Sequence, residues 1–199
     1  HNLVRLDCGA LSGELIESEL FGSETTAAIA GRNVGRPGLL ALADKSTLFL
    51  DKIDEFPYDL QGKLLHAIDD KCYTPMGSSR SVNSDFRLIA ATSKNLLELV
   101  REGRFREDLY YRLNVMSVVI PPLRERREDI PFLIQSFLSS INKAAGTQKR
   151  ISPETIEHLK RYRWGGNLRE LKNILEQLCV LSDGDQIEEK DLFLLPEFA

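Results

Sequence analysis

The 199-residue chain has few of the residues that build disulfide frameworks and zinc sites. Its three cysteines, Cys8, Cys72 and Cys179, stand far apart and form no CxxC pair, and its three histidines show no spacing typical of metal ligands. A disulfide framework or a zinc site is therefore not expected. This usage of cysteine fits a reducing compartment, and we expect a cytoplasmic protein.

The chain also has no long apolar run and no excess of basic charge. No stretch approaches the roughly 20 apolar residues that a membrane-spanning helix needs, so we expect neither a signal peptide nor a membrane association. The formal net charge of −4 argues against an overall basic surface for nucleic acid. A hydrophobic content of 42% is ordinary for a soluble globular protein with one large or two small domains.

Up to Pro122, apolar runs of strand length alternate with segments of helical periodicity. We expect helices at residues 14–21 and 60–68, and strands at Leu3–Asp7 and at residues 47–50, 86–91 and 115–120. The strands at 47–50, 86–91 and 115–120 are predicted to be buried, because parallel strands carry apolar side chains on both faces. This alternation predicts an α/β core with a parallel sheet.

After Pro122 the pattern indicates helices only. The first helix is expected from near Asp129 to Gly146, the second with Ser152 as its N-cap, and the third from near Asn167. We therefore predict two parts, an α/β core over residues 1–122 and a helical lid over residues 123–199.

Two stretches carry most of the functional information, FREDLYYRLN at 105–114 and IPPLRERRED at 120–129. Arg106 and Arg112 are six positions apart, which is about 9 Å of rise on a helix, so they cannot serve one small group in the same way. Arginine is suited to binding a phosphate across an interface, because its planar guanidinium hydrogen-bonds the phosphate oxygens and stays charged. The alternative is a solvated amphipathic helix with local ion pairs.

Several stretches in order along the chain resemble the central domain of bacterial enhancer-binding proteins, the AAA+ activators of sigma-54 RNA polymerase. Besides the two above, they are ESELFG at 17–22, STLFLDKIDEF at 46–56, LQGKLLHAI at 60–68, FRLIAATSKNL at 86–96 and WGGNLRELKNIL at 164–175. The resemblance implies an AAA+ P-loop NTPase-type parallel sheet core, with its N-terminal part missing here, followed by a small all-helical lid.

The resemblance also implies a function, cofactors and partners. Members of the family couple ATP binding and hydrolysis to remodelling of sigma-54 RNA polymerase, so ATP and Mg²⁺ are the implied cofactors. Their subunits form a ring, expected as a hexamer, with ATP between neighbours. Contact with DNA would need a domain that is absent from this chain.

Asp51 follows a predicted parallel strand, where ligands bind beyond the carboxyl end of the sheet. The resemblance makes Asp51 the Walker B aspartate, a ligand of magnesium, and places Lys52 where the family has the glutamate that polarises the attacking water. A lysine ammonium has three donors and no acceptor, so it cannot take a proton from water unless it is strongly desolvated. We therefore expect impaired hydrolysis.

Other site residues rest on the resemblance alone. Arg106 and Arg112 match the arginine fingers that reach ATP on the neighbouring subunit, and Arg169 matches the sensor II arginine of the lid. Ser93 occupies the sensor I position, and Arg124 is placed near the adenine pocket. Taken in isolation, each of these arginines is also compatible with an ordinary surface ion pair.

Two family motifs are absent or altered. No GxxxxGK followed by Ser or Thr, the loop that cradles phosphates, occurs in the 199 residues; either the loop was lost or the sequence is a fragment, and we expect no tight ATP binding by this chain. The family's GAFTGA loop, which contacts sigma-54, has its nearest counterpart in Thr26, Ala27, Ala28, Ile29, Ala30 and Gly31.

That counterpart has neither the aromatic residue nor the threonine–glycine pair of the family's loop. The alternative is a mobile loop that contacts no partner. Two functions therefore remain open. One is a sigma-54-dependent AAA+ regulator, degenerate in this copy, and the other is a non-hydrolysing regulatory or protein-interaction module. Residue 52 and the loop are the features that discriminate between them.

Overall fold

A computed structural model describes residues 2–24 and 35–198 and divides the chain into two units, His1–Ser117 and Val118–Ala199. The strands of the first unit are β1 (Leu3–Asp7), β2 (Gly22–Ser23), β3 (Arg36–Pro37), β4 (Thr47–Asp51), β5 (Cys72–Tyr73), β6 (Val82–Asn83) and β7 (Arg87–Ala90). Its helices are α1 (Gly13–Phe21), α2 (Leu39–Leu42), α3 (Tyr58–Asp69), α4 (Leu96–Arg101) and α5 (Glu107–Leu113). The predicted boundary after residue 122 lies slightly further along the chain and stays a prediction.

A parallel sheet of order β1-β4-β7 forms the centre of the first unit. Leu6, Leu48 and Leu50 are buried from this sheet, because alternate residues of a strand point to the same face. They share one apolar core with Ile16 and Leu20 of α1. The prediction of an α/β core with a parallel sheet is thus confirmed.

The strand predicted at 86–91 is present as β7 but is not buried, and the strand predicted at 115–120 is wrong. The strand at 86–91 was expected to be buried, yet Arg87, Ile89 and Ala90 of β7 are exposed, because β7 pairs only with β4 in the part of the chain that the structure describes. Residues 115–120 form no strand and pair with none of the described strands. Their apolar side chains are exposed, with Met116 at 87%. An apolar run becomes a strand only where a neighbouring backbone accepts its hydrogen bonds.

The second unit is helical, as predicted. Its elements are α6 (Ile130–Ala145), β8 (Arg150–Ile151), α7 (Pro153–Arg161), α8 (Asn167–Leu181), β9 (Gln186–Ile187) and α9 (Glu189–Leu192). The Ser152 hydroxyl accepts a hydrogen bond from the Thr155 N–H at 3.2 Å, which confirms the predicted N-cap of α7. The parallel pair of β8 and β9 was not predicted, since strands of two residues leave no periodicity in a sequence.

Apolar helix faces meet in the core of this second unit around Trp164. The indole is fully buried and its Nε1–H donates to the Leu159 carbonyl at 2.8 Å, so its polar atom is satisfied. The longest helix is α6, with 16 residues. Within residues 2–24 and 35–198, no helix combines the length and the apolar character needed to cross a membrane.

Gly165 is expected to loosen the turn before α8, where the resembling family usually has proline. Its backbone does not adopt the left-handed conformation, and an added Cβ would meet no atom within 4 Å. We predict that Gly165→Ala raises the free energy of unfolding by about 0.4–1 kcal/mol, because alanine reduces the conformational freedom of the unfolded chain. Urea unfolding followed by the fluorescence of Trp164 measures this.

Gly146, the C-cap of α6, is the matched control for that substitution. An added Cβ there also meets nothing within 4 Å, but the residue has a φ of +68°. Gly146→Ala should therefore lower the free energy of unfolding by about 1 kcal/mol, since L-residues are strained in the left-handed region. Equal effects of the two substitutions would contradict the assigned turn geometry.

Candidate functional site

Charged side chains gather at the carboxyl edge of the three parallel strands. Asp7 is the last residue of β1 and Asp51 the last of β4, and the strand register places them side by side. Lys52 follows Asp51 directly, and Ser93 lies in the loop after β7. The parallel register therefore brings Asp51, Lys52 and Ser93 to one edge of the sheet, which is where ligands bind in open α/β sheets.

Asp51 already has a cationic partner. The Arg5 guanidinium of β1 lies 2.5 Å from an Asp51 carboxylate oxygen, and the same guanidinium sits over the Phe49 ring, 5.7 Å from its centroid. The other Asp51 oxygen accepts a hydrogen bond from the Lys52 backbone N–H at 3.1 Å. Both carboxylate oxygens of the proposed Walker B residue are thus engaged by the protein itself.

Lys52 has an unusual backbone and a cross-strand partner. Its φ of 52° and ψ of 49° lie in the left-handed region, which non-glycine residues adopt at a cost and often near functional sites. The Lys52 ammonium lies 3.3 Å from the Asp7 carboxylate, and 48% of its side chain is exposed. A solvated ammonium in an ion pair has no acceptor for a proton from water.

Asp7 is itself held in place. Its carboxylate accepts a hydrogen bond from the Gly9 backbone N–H at 3.0 Å. This bond, assisted by Lys52 and Arg5, holds the pKa of Asp7 below its ordinary value, so Asp7 is the anionic member of the pair.

Asp54 supports the loop that carries Ser93. Burial raises the pKa of Asp54, but hydrogen bonds from Thr92 and Lys94 outweigh burial and hold the pKa below its ordinary value. The Thr92 hydroxyl donates to Asp54 at 2.6 Å and the Lys94 ammonium lies 3.0 Å from the other oxygen. Ser93, between these two residues, is exposed. Sequence reasoning missed Asp54, because its burial depends on packing between distant segments.

These residues do not fit a divalent cation as they stand. In the described part of the chain, no group of three or more His, Cys, Asp and Glu side chains is arranged to hold a metal ion. Asp51, Asp7 and Asp54 each pair with a cation of the protein. Cys8, next to Asp7, contributes no thiolate ligand, because burial raises the pKa of its thiol to about 12.

The two arginines proposed as fingers lie at the start and end of α5, each in an ion pair. Arg106 binds the Asp108 carboxylate with two nitrogens, at 3.0 and 2.7 Å, and Arg112 lies 2.7 Å from Asp69 of α3. Their side chains remain 40% and 48% exposed, respectively. The local ion pairs of the alternative interpretation are thus present, and they leave both guanidiniums accessible.

Gln61 fixes the backbone before α5 and was also missed by sequence reasoning. It is fully buried in α3, where its amide oxygen accepts from the Arg106 backbone N–H at 2.8 Å. Its amide nitrogen donates to the carbonyls of Phe56 and Arg104 at 3.1 and 3.3 Å. Three hydrogen bonds from one buried side chain therefore set the position of Arg106.

The proposed lid residues lie in the second unit. Arg124 is exposed and its guanidinium lies 3.5 Å from the neighbouring Glu125. Arg169 is exposed in the first turn of α8. Neither residue is buried in the core of the lid, so both side chains are available to solvent.

The proposed sigma-54 contact loop, residues 26–31, lies outside the described residues, but its base is described. Strands β2 and β3 pair there, and Gly22 and Glu24 exchange backbone hydrogen bonds with Met76 at 3.0 and 2.9 Å. At Gly38 an added Cβ would lie 2.4 Å from the Gly22 nitrogen, so this close approach of two backbones requires glycine.

Comparison with known proteins places this geometry in a family. Residues 1–119 match the model of the sigma-54 interaction domain, and residues 124–195 match the AAA+ ATPase lid domain. The alginate biosynthesis transcriptional regulatory protein AlgB of Pseudomonas putida is 46% identical over 186 residues, which cover 93% of this chain and 41% of AlgB. An uncharacterized protein in the HyuA 5′ region of a Pseudomonas species is 47% identical over 95% of this chain and 64% of its own length.

A solved structure agrees in fold. NtrX from Brucella abortus, solved in complex with ATP, superposes with a TM-score of 0.85 and 34% identity, over 96% of this chain and 42% of that chain. The chain thus spans less than two thirds of the relatives named here. With its parallel core and helical lid, the chain belongs to the sigma-54 interaction domain family of NtrC-like AAA+ transcriptional activators.

Proposed function

We propose that this chain is the AAA+ module of a sigma-54-dependent transcriptional regulator in which ATP hydrolysis is impaired. The observation that carries the proposal is the ion pair of Lys52 with Asp7, 3.3 Å apart, directly after Asp51. In this family position a glutamate would accept a proton from the attacking water. An ammonium held by a carboxylate cannot do so, and its charge opposes a magnesium ion on Asp51.

Nucleotide binding would depend on residues beyond the ones described above. ATP and Mg²⁺ are the cofactors we infer for the whole protein, with Ser93, Arg124 and Arg169 toward the nucleotide. Asp51 is not available to magnesium while Arg5 occupies its carboxylate. The phosphate-cradling motif is absent from the 199 residues, so the chain alone should bind ATP weakly. NtrX, whose chain is more than twice as long, was solved in complex with ATP. This supports a contribution to nucleotide binding from residues outside the 199 residues.

Ring assembly is the second component of the proposal. The side chains of Arg106 and Arg112 are partly exposed; Gln61 holds the backbone N–H of Arg106, and Asp69 pairs with the Arg112 guanidinium. We infer that they act as arginine fingers toward ATP on a neighbouring subunit, for which a charged planar donor is suited. Loop residues 26–31 are the proposed contact with sigma-54, presented from the base formed by β2, β3 and Met76.

A non-hydrolysing regulatory or protein-interaction module is the second candidate. It is favoured by Lys52 and by the composition of residues 26–31, TAAIAG, which has no aromatic side chain to bury in a partner. Aromatic anchors commonly contribute most to the affinity of a protein interface. Under this alternative the fold is retained, and neither hydrolysis nor sigma-54 contact occurs.

A chimera tests the effect of Lys52 on hydrolysis. We join the segment of AlgB that precedes its match to residue 1 of this chain, and measure MgATP binding by titration calorimetry with phosphate release in the same sample. The chimera should bind ATP, whereas its hydrolysis should be at least about 100-fold slower than that of AlgB, the lower range of what a general base contributes. The 199-residue chain without the added segment is the control and should bind MgATP only weakly.

Hydrolysis by the chimera at the rate of AlgB would refute the role assigned to Lys52. Tight MgATP binding by the 199-residue chain itself would instead show that phosphate contacts come from residues that we have not assigned.

A loop exchange tests the contact with sigma-54. Replacing residues 26–31 of the chimera by GAFTGA should create binding of labelled sigma-54 in the presence of a transition-state analogue of ATP hydrolysis, measured by fluorescence anisotropy. The unchanged chimera should bind at least tenfold more weakly, the equivalent of about 1.4 kcal/mol. A scrambled loop of the same composition is the control, and equal binding by all three proteins would contradict the proposed role of the loop.

A further inference from the structure

Three aspartates at the edge of the sheet, Asp51, Asp7 and Asp54, each pair with a cation of the same chain. Arg5 pairs with Asp51, Lys52 with Asp7, and Lys94 with Asp54, at 2.5, 3.3 and 3.0 Å. An edge with this arrangement already contains the positive charge that a divalent cation would supply. The disagreement between these residues and a magnesium site therefore has a specific structural origin.

The pair of Lys52 and Asp7 is constrained from both sides. Asp7 is fixed by the Gly9 N–H, and Lys52 by its left-handed backbone and by its N–H bond to Asp51. The aliphatic stem of Lys52 packs beside Gly9, where an added Cβ would lie 2.9 Å from the Lys52 Cδ. The ammonium is thus directed toward Asp7 by contacts that do not depend on the charge itself.

We propose that Asp7 is a positioning residue that determines which charge residue 52 can carry, so that Asp7 and Lys52 form a matched pair. A carboxylate at residue 52 would replace the cation and face Asp7, with Asp51 and Glu55 on the same edge. Carboxylates that share a site without a cation repel each other. A glutamate at residue 52 should therefore destabilise this edge unless residue 7 is uncharged. The consequence of this pair for hydrolysis rests on the proposed function, whereas the coupling between the charges of residues 7 and 52 does not depend on it.

A mutant cycle on the 199-residue chain tests the coupling through stability. The four proteins are the unchanged chain, D7N, K52E and D7N/K52E, and calorimetry at low salt gives their melting temperatures. K52E should melt roughly 2–4 °C lower, because an attraction becomes a repulsion, and D7N in the same molecule should restore most of that loss. The fluorescence of Trp164, the one tryptophan in the sequence, reports the unfolding of the second unit in each protein.

Two controls make the result specific to charge. With the neutral K52Q, the addition of D7N should change the melting temperature by less than about 1 °C, since no repulsion remains to be relieved. Lys63→Glu similarly replaces an attraction by a repulsion, beside Glu17 in the same unit. The melting temperature that K63E loses should not be restored by adding D7N. High salt should reduce the difference between K52E and D7N/K52E, because it screens exposed charges.

Additive effects of D7N and K52E, or rescue of K63E by D7N, would overturn the matched pair. Neither result depends on nucleotide binding, hydrolysis or sigma-54. If the proposed function is wrong, the coupling between residues 7 and 52 can still be measured in this cycle. If the cycle shows no coupling, the proposed function is still tested by the chimera and the loop exchange.

Discussion

The parallel register of β1 and β4 is the constraint on which the candidate site depends. It places Asp7 beside Asp51 at the ends of adjacent strands, 44 positions apart in the sequence (51 − 7). Two carboxylates so close to each other need compensating charge. Arg5, two residues before Asp7, and Lys52, directly after Asp51, supply it by pairing across the strands.

The backbone conformation at Lys52 determines where the charged side chains of the site lie. The left-handed conformation of Lys52 turns the chain from β4 into the short 3-10 helix Ile53–Glu55, and it directs the side chain at residue 52 toward β1. In the same turn, Asp54 is buried and holds the loop after β7. One turn therefore sets both the charged pair and the position of Ser93. The lysine in this turn places a positive charge beside Asp7 at the carboxyl edge of the sheet.

Much of the fold could be predicted from the sequence where the signal is local. The alternation in Leu3–Asp7, the N-cap at Ser152 and the stop at Gly146 each rest on neighbouring residues, and the structure has them as predicted. The errors arise where the outcome depends on distant segments. The apolar run at 115–120 has no strand partner in the described part of the chain, so its composition alone was misleading.

The same distinction applies to the site. Asp51 and Lys52 could be found because a strand end marks them, but their partners Arg5 and Asp7 are more than 40 positions away, at 46 and 45. Gln61 and Asp54 carry polar side chains whose burial no local pattern indicates. Their roles follow from hydrogen bonds to Arg106, Thr92 and Lys94, which exist only in the folded chain.

The charge state of the Asp7–Lys52 pair is the most direct test of this account. A titration of the Asp7 side-chain carboxyl by carbon-13 NMR, in the unchanged chain and in Lys52→Gln, measures it. We predict that the pKa of Asp7 lies below its ordinary value and rises in the variant, remaining depressed because the Gly9 N–H still donates to the Asp7 carboxylate. An Asp7 pKa that is the same in both proteins would contradict the ion pair on which the proposed impairment of hydrolysis rests.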